Sequence, residues 1–135
     1  MTLTVEKRLL QIVVAIACLV PVFGGGAGVW FGAGLFGGHG ANLDSHLRYL
    51  SGLLLAIGLV FAVSIPHIES HRDRFRLLTV IVLVGGLSRL LGMFISGAWL
   101  QMTLLTLCME LGVTPLLCWW QNGFAGRWVR QASQV

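Results

Sequence analysis

The sequence predicts an all-α membrane protein, a bundle of four transmembrane helices that forms a single domain over residues 1–135. Mean hydropathy is +0.86, with 56% hydrophobic and 10% charged residues, whereas soluble domains carry about 25% charged residues. Four segments also approach the length of about 20 mostly apolar residues that a spanning helix needs. Most Lys and Arg residues lie where these segments end, as in other membrane proteins.

The predicted spans are separated by short polar or glycine-containing connections. In chain order they cover about residues 5–23, 44–65, 75–96 and 99–120. Pro66 ends the second span because proline cannot continue an ordinary helical hydrogen-bond ladder. Residues 121–135 mix aromatic and basic side chains, which predicts a segment at the membrane interface.

A glycine-rich stretch separates the first two predicted helices. Nine of the 17 residues from Gly24 to Gly40 are glycine, and glycine disfavours a helix by about 1 kcal/mol relative to alanine. We therefore expect an apolar loop or short broken helix at the outer interface. Residues 32–37 match G-x-G-x-x-G, but that motif binds dinucleotides only within a βαβ unit. The sequence predicts no such unit here, so we do not expect a dinucleotide site.

The distribution of basic residues predicts the orientation. Seven of the nine lie at the N-terminus, in the connection between the second and third spans, or in the C-terminal tail: Lys7, Arg8, Arg72, Arg74, Arg76, Arg127 and Arg130. Four spans place these regions on one side, which the positive-inside rule makes cytoplasmic. The net charge of +4 forms no continuous basic patch, so we expect no nucleic-acid partner.

Four charges fall within or beside the apolar runs and predict one polar cluster on the outer half of the bundle. Asp44 and Arg48 are one helical turn apart. Arg89 and Glu110 lie roughly 12 Å and 18 Å from the outer turn at residues 97–98, at 1.5 Å per residue. Charged groups are costly in a bilayer, so they usually face a bundle interior or a cavity. The candidate ligand-binding residues are Asp44, His46, Arg48, Tyr49, Arg89 and Glu110.

Small and hydroxyl residues accompany the charges at helical spacing. One predicted face of the third helix carries Gly85, Ser88, Arg89, Gly92 and Ser96, and one of the fourth carries Thr103, Thr106, Glu110 and Thr114. Such residues allow close approach and hydrogen bonds between membrane helices. We therefore expect these faces to meet, leaving Leu, Val and Ile toward lipid.

Two interpretations of the cluster remain open. In the architectural one, Arg89 and Glu110 form an ion pair that fixes helix register, while Asp44 and Arg48 cap the second helix. In the ligand-binding one, Glu110 binds or relays a proton, Arg48 and Arg89 hold an anionic or carbonyl-bearing head group, and His46 and Tyr49 line the mouth. The histidine spacing predicts no metal site, and no catalytic constellation can be assembled.

The motifs resemble a known family. The block Asp44–Gly52, the segment Arg89–Gly92, and Glu110-Leu111-Gly112 with Pro115 resemble a bacterial family of small four-helix membrane proteins known only as a domain of unknown function. That family is distantly similar to DoxX-like membrane proteins. The resemblance implies a four-helix fold and a membrane location but no activity. The distant likeness implies quinone-linked sulfur or thiol redox chemistry, although the three cysteines match no catalytic arrangement.

Three hypotheses for function follow. In the first, the cluster binds an amphipathic ligand such as a quinone, an isoprenoid or a lipid head group. In the second, the protein is a structural or accessory subunit of a larger membrane complex. In the third, it is a proton-coupled transporter, which a four-helix chain forms only as a homo-oligomer. We expect a multi-pass protein of the bacterial inner membrane that needs no fixed cofactor, with a bound quinone or lipid as the alternative.

Overall fold

A computed structural model of the chain describes residues 2–97 and 101–134. Over these residues all of the regular secondary structure is helical. The α-helices are α1 (Leu3–Phe31), α2 (Ala41–Ser64), α3 (Arg72–Ser96), α4 (Gln101–Cys108) and α5 (Thr114–Ala132). A 3₁₀-helix, Gly32–Phe36, follows α1, and a π-helical turn, Met109–Val113, joins α4 to α5.

Four helical segments are long and apolar enough to cross a membrane: Leu3–Leu35, Ala41–Ser64, Arg72–Ser96 and Gln101–Ala132. The predicted all-α class with four such helices is confirmed. The fourth helix extends to Ala132 instead of ending near residue 120, so the predicted interfacial tail is largely its continuation. Its predicted start at Trp99 lies outside the described residues, as does Ala98 of the predicted turn.

The predicted glycine-rich loop is mostly wrong, because α1 continues through Pro21 and the following glycines to Phe31. Packing against α2 explains the difference. A Cβ on Gly25 would lie 2.6 Å from the backbone nitrogen of Leu55, and one on Gly28 would overlap the Ser51 side chain. Glycine therefore permits a close helix contact here. Within a bilayer the helix also satisfies backbone groups that an open loop would leave unpaired.

The chain divides into two compact units, Gln11–Pro66 and Met1–Leu10 with His67–Val135. The first contains most of α1, the 3₁₀-helix and α2, and we call it the α1–α2 hairpin. The second contains α3, α4 and α5 together with the first turns of α1. Its fully buried apolar side chains are Leu10, Ile68, Phe75 and Phe124. The single domain expected from the sequence stays a prediction.

The π-helical turn has a local cause in the sequence. Pro115 provides no N–H, and in a regular α-helix its ring would clash with the carbonyl of the residue four positions earlier, Leu111. The wider turn relieves this conflict while the helix continues. The Thr114 hydroxyl donates a hydrogen bond of 2.9 Å to the carbonyl oxygen of Met109, five residues earlier. Glu110 therefore lies in a locally widened segment of the fourth span.

Candidate functional site

Asp44 and Arg48 form an ion pair that holds the end of α1. The Arg48 Nε lies 2.7 Å from the Asp44 Oδ2. The Arg48 Nη1 donates hydrogen bonds to the carbonyl oxygens of Val29 at 2.6 Å and Trp30 at 3.0 Å. The backbone N–H of Ala33 donates to the Asp44 Oδ1 at 2.9 Å. Because the last carbonyls of a helix lack intrahelical partners, these side chains cap the end of α1 from the start of α2. The pair therefore does not cap the second helix, which the architectural interpretation predicted.

Glycine is required where this cap closes. Gly32 has φ of +56°, in the left-handed region that L-residues disfavour. A Cβ at this position would overlap the Asp44 Oδ1 and lie 2.9 Å from the Arg48 Nε. The ion pair and Gly32 therefore form one structural feature, which we call the α1 cap.

The other end of the α1–α2 hairpin is held in a similar way. The Gln11 side chain donates a hydrogen bond of 2.9 Å to the carbonyl oxygen of Ile65, at the C-terminal end of α2. Between the two ends, a Cβ on Gly58 would lie 2.9 Å from the Cγ2 of Val22. Side chains thus satisfy terminal carbonyl groups at both ends of the hairpin, and glycines allow close contact along it.

Arg89 and Glu110 form a second ion pair, between α3 and the π-helical turn. The Arg89 Nε lies 3.1 Å from the Glu110 Oε2, and its Nη2 lies 3.1 Å from the Oε1. This two-bond geometry is the strong form of an arginine–carboxylate contact. In the chain by itself, 41% of the Arg89 side chain is exposed but only 14% of the Glu110 side chain. The Glu110 side chain is therefore largely covered, whereas the Arg89 side chain is partly accessible.

Gly86 brings the π-helical turn close to α3. A Cβ on Gly86 would lie 3.1 Å from the Cβ of Glu110 and 2.8 Å from the Cδ2 of Leu111. Arg89 is three residues further along α3, near the same face. The close approach at Gly86 therefore positions the carboxylate beside the guanidinium.

Two hydroxyls, those of Ser88 and Thr106, do not make the predicted contacts between helices. Ser88 donates to the carbonyl oxygen of Val84, and Thr106 to that of Met102, both within their own helices. A Cβ on Gly85 would meet nothing within 4 Å. The buried residues of α3 are Phe75, Leu78, Thr79, Gly86 and Met93. The buried face of α3 is therefore centred away from the predicted polar face, and Arg89 lies at the edge of the buried one.

The remaining candidate residues lie on the exposed surface of α2. The His46 Nδ1–H donates to the carbonyl oxygen of Asn42 at 2.9 Å, and the Tyr49 side chain is 67% exposed. The spacing correctly predicts the two ion pairs, but they belong to different compact units. That all four charges form one cluster, and that these residues bind a ligand, stay predictions. Over residues 2–97 and 101–134, no group of three potential metal ligands comes together.

A further polar network, centred on Glu6, was not predicted. Glu6 is only 7% exposed and forms an ion pair with Arg127. Its Oε1 also accepts a hydrogen bond of 3.0 Å from the Trp120 indole N–H. Trp120 and Arg127 are seven residues apart, which places them on one face of a continuous helix. This spacing is the sequence signal for the network. It was missed because the fourth span was predicted to end near residue 120, which left Arg127 outside the helix.

The connection between α2 and α3 is more buried than a solvated loop would be. The Lys7 Nζ lies 2.9 Å from the Glu69 Oε1, and the Gln121 side chain, fully buried, donates to the carbonyl oxygen of Ile68 at 2.6 Å. Burial tends to raise the pKa of Glu69. The hydrogen bond and positive charge of Lys7, together with a backbone hydrogen bond, outweigh this effect, so the pKa lies below its ordinary value of 4.5.

Comparison with known protein families assigns the chain to one of them. The profile of the family described as "Domain of unknown function (DUF4345)" matches residues 9–121. The chain belongs to the DUF4345 family. The DUF4345 match includes the α1 cap and the Arg89–Glu110 pair, whereas Glu6 and Arg127 lie outside it. No curated protein and no solved structure matches the chain.

Proposed function

We propose that this protein binds an amphipathic small molecule within the membrane, at the Arg89–Glu110 ion pair. The main supporting observation is the accessible side chain of Arg89. In the chain by itself 41% of it is exposed, inside a span long and apolar enough to cross a bilayer. An exposed charge at such a position requires a polar partner. A quinone, an isoprenoid or a lipid head group supplies a carbonyl or anionic group together with an apolar tail.

The geometry of the pair suits this role. Its two hydrogen bonds use the Nε and Nη2 of Arg89 and leave the Nη1 donors outside the pair. Glu110 holds the guanidinium in one orientation, and π-helical turns occur frequently at functional sites. A carbonyl or anionic oxygen of the ligand would accept from Arg89, and Glu110 would bind or relay a proton. Asp44 and Arg48 have no role in this proposal, because their hydrogen bonds already cap α1.

The second candidate function is that of a structural or accessory subunit of a membrane complex. The α1 cap favours it, because that ion pair is occupied with backbone groups and holds two helices together. If the Arg89–Glu110 pair is also purely structural, another protein or a second copy of this chain covers the exposed Arg89 side chain. A proton-coupled transporter is the weaker alternative and requires an oligomer.

The proposed setting is the bacterial inner membrane, with both termini in the cytoplasm. The excess of basic residues at the chain ends and in the α2–α3 connection supports this orientation. The contacts of Glu6 with Arg127 and of Lys7 with Glu69 are consistent with it. The distant likeness to DoxX-like proteins, which implies quinone-linked chemistry, favours a quinone as the ligand in this proposal.

The deciding experiment is mass spectrometry of lipids and quinones extracted from the purified protein. We expect Arg89→Leu to reduce a co-purifying amphipathic species by about tenfold or more, because a hydrogen bond to a charged group contributes at least that factor. Arg76→Leu is the matched control, because Arg76 is an exposed arginine near the start of the same helix. Unchanged extracts from folded Arg89→Leu protein contradict the proposal.

Two further variants separate the candidates. Arg89→Lys keeps the positive charge but loses the planar two-bond geometry, and should reduce ligand content without unfolding the protein. Under the accessory-subunit hypothesis, Glu110→Gln instead lowers thermal stability or recovery of a partner protein and leaves the extracted molecules unchanged.

A further inference from the structure

A second site lies at one surface of the unit formed by Met1–Leu10 and His67–Val135. It is a cavity of about 460 Å³, lined by the α2–α3 connection, the start of α3 and the later turns of α5. Its polar lining includes Glu69, Ser70 and Arg72, and Trp128 provides an aromatic wall. The connection joins two spanning helices, so the cavity opens at a membrane surface.

Glu69 lines this cavity and has one carboxylate oxygen without a hydrogen-bond partner in the described part of the chain. Its Oε1 accepts from the Lys7 ammonium at 2.9 Å. Its Oε2 is buried and has no hydrogen-bond partner among the described residues. An unpaired buried acceptor is unfavourable, and an unpaired carboxylate oxygen especially so. A cationic N–H donor from a ligand would therefore be stabilised beside it.

A cation and an aromatic ring complete the lining. The Arg72 Nε donates to the Asn122 Oδ1 at 2.8 Å, which orients the guanidinium and leaves its Nη donors outside that bond. Arginine guanidinium groups favour phosphate oxygens. Tryptophan is enriched at the depth of lipid head groups, and Lys7 lies 5.1 Å from the ring centre of Trp128.

We infer that this cavity binds the head group of a phospholipid that carries a primary amine, of the phosphoethanolamine type. The ammonium donates to the Glu69 carboxylate, and the phosphate accepts from Arg72. The acyl chains extend along α5 past Trp128 into the bilayer. A choline head group has the same charges but no N–H donor, so the cavity distinguishes the two by hydrogen bonding.

Native mass spectrometry of the intact chain in detergent tests this inference. The micelles contain equal amounts of phosphatidylethanolamine, phosphatidylcholine and phosphatidylglycerol. We expect phosphatidylethanolamine to be retained about tenfold over phosphatidylcholine, as for one charge-assisted hydrogen bond. Glu69→Gln should remove most of this preference. Asp73→Asn, which changes an exposed acid in the first turn of α3, should keep it.

An arm that uses only the wild-type protein guards against a variant that fails to fold. Successive N-methylation of phosphatidylethanolamine replaces its N–H donors, and retention should fall with each methyl group. Equal retention across this series overturns the inference. So does a preference for phosphatidylglycerol, which would indicate an anion site at Arg72 alone, or an unchanged preference in Glu69→Gln.

A final arm identifies the source of the head group. Competition by water-soluble glycerophosphoethanolamine supports recognition of the head group alone, as a free metabolite or as part of a lipid. Absence of competition, with the lipid preference intact, supports the lipid as the ligand. These results are independent of Arg89→Leu, whose failure would affect only the proposed function.

Discussion

The two ion pairs use the same chemistry in different surroundings. In the α1 cap, Asp44 and Arg48 are one turn apart on one helix, and their remaining hydrogen bonds go to backbone groups at the end of another. Arg89 and Glu110 lie on different helices, and the two hydrogen bonds described for Arg89 both go to Glu110. The pairs thus differ in their hydrogen-bond partners: Arg48 also bonds to backbone carbonyls, whereas the bonds described for Arg89 go to a side chain. Under our proposal the first pair is architectural and the second can bind a ligand.

Removing one arginine from each pair should have the largest effect and would test the comparison directly. We expect Arg48→Met to lower the free energy of unfolding by about 3 kcal/mol, because several charge-assisted hydrogen bonds are lost. Arg89→Met should cost about 1 kcal/mol, because only the two hydrogen bonds to one carboxylate are lost. Thermal unfolding followed by circular dichroism in detergent measures both. Equal losses would mean that the two pairs are not different in kind.

The α1 cap can also be broken without touching a charge. Gly32→Ala should cost about 2 kcal/mol, because alanine is disfavoured at positive φ and its Cβ would collide with Asp44. Gly34→Ala is the matched control in the same 3₁₀-helix, where a Cβ would meet nothing within 4 Å. The same unfolding measurement applies. If both variants unfold at one temperature, Gly32 is not required for the cap.

The Arg89–Glu110 side of the comparison has an equivalent pair of glycines on α3. Gly86→Ala should cost about 1 kcal/mol, because the added Cβ pushes against Leu111 and Glu110 and the contact must open slightly. Gly85→Ala should be neutral or slightly stabilising, since its Cβ enters open space and alanine favours a helix. Denaturant titration of the two variants checks this. A larger loss for Gly85→Ala would contradict the assigned contact face.

The smallest expected effect concerns acid. The pKa of Glu69 in the folded protein lies below its ordinary value of 4.5, so its contribution to stability is complete above that value. The contribution is lost as the pH falls through the lowered pKa. Glu69→Gln should therefore flatten the fall in unfolding temperature between about pH 5 and pH 3, whereas Asp73→Asn should change it less. An unaltered slope in Glu69→Gln would show that other groups control the acid response.

The sequence was most informative where hydrophobicity or spacing decides the structure. Runs of apolar residues predicted four spans, Pro66 marked the end of the second, and the i,i+4 spacing predicted the Asp44–Arg48 pair. Depth along the helices predicted that Arg89 meets Glu110. These features depend on local geometry or on the cost of burying charge in lipid.

The errors arose where packing outweighs local preference. Helix propensities are measured in water, and the low propensity of glycine led us to predict a loop or short broken helix over residues 24–31. Gly25 and Gly28 are nevertheless helical, because Leu55 and Ser51 pack against them. The orientation of α3 was also misjudged, since hydroxyls such as that of Ser88 can bond within their own helix. The partner of Glu6 lies more than a hundred residues away, and no local pattern identifies it.

The π-helical turn also connects distant parts of the protein. An α-helix rotates by about 100° per residue, so converting this turn to a regular helix would change the angular position of every later side chain of α5 relative to α4. Trp120 and Arg127, which contact Glu6, would rotate away from it. The widened segment that contains Glu110 therefore sets the rotation of α5 about its own axis. A ligand or proton that changed this segment would also change the contacts of α5 with Glu6.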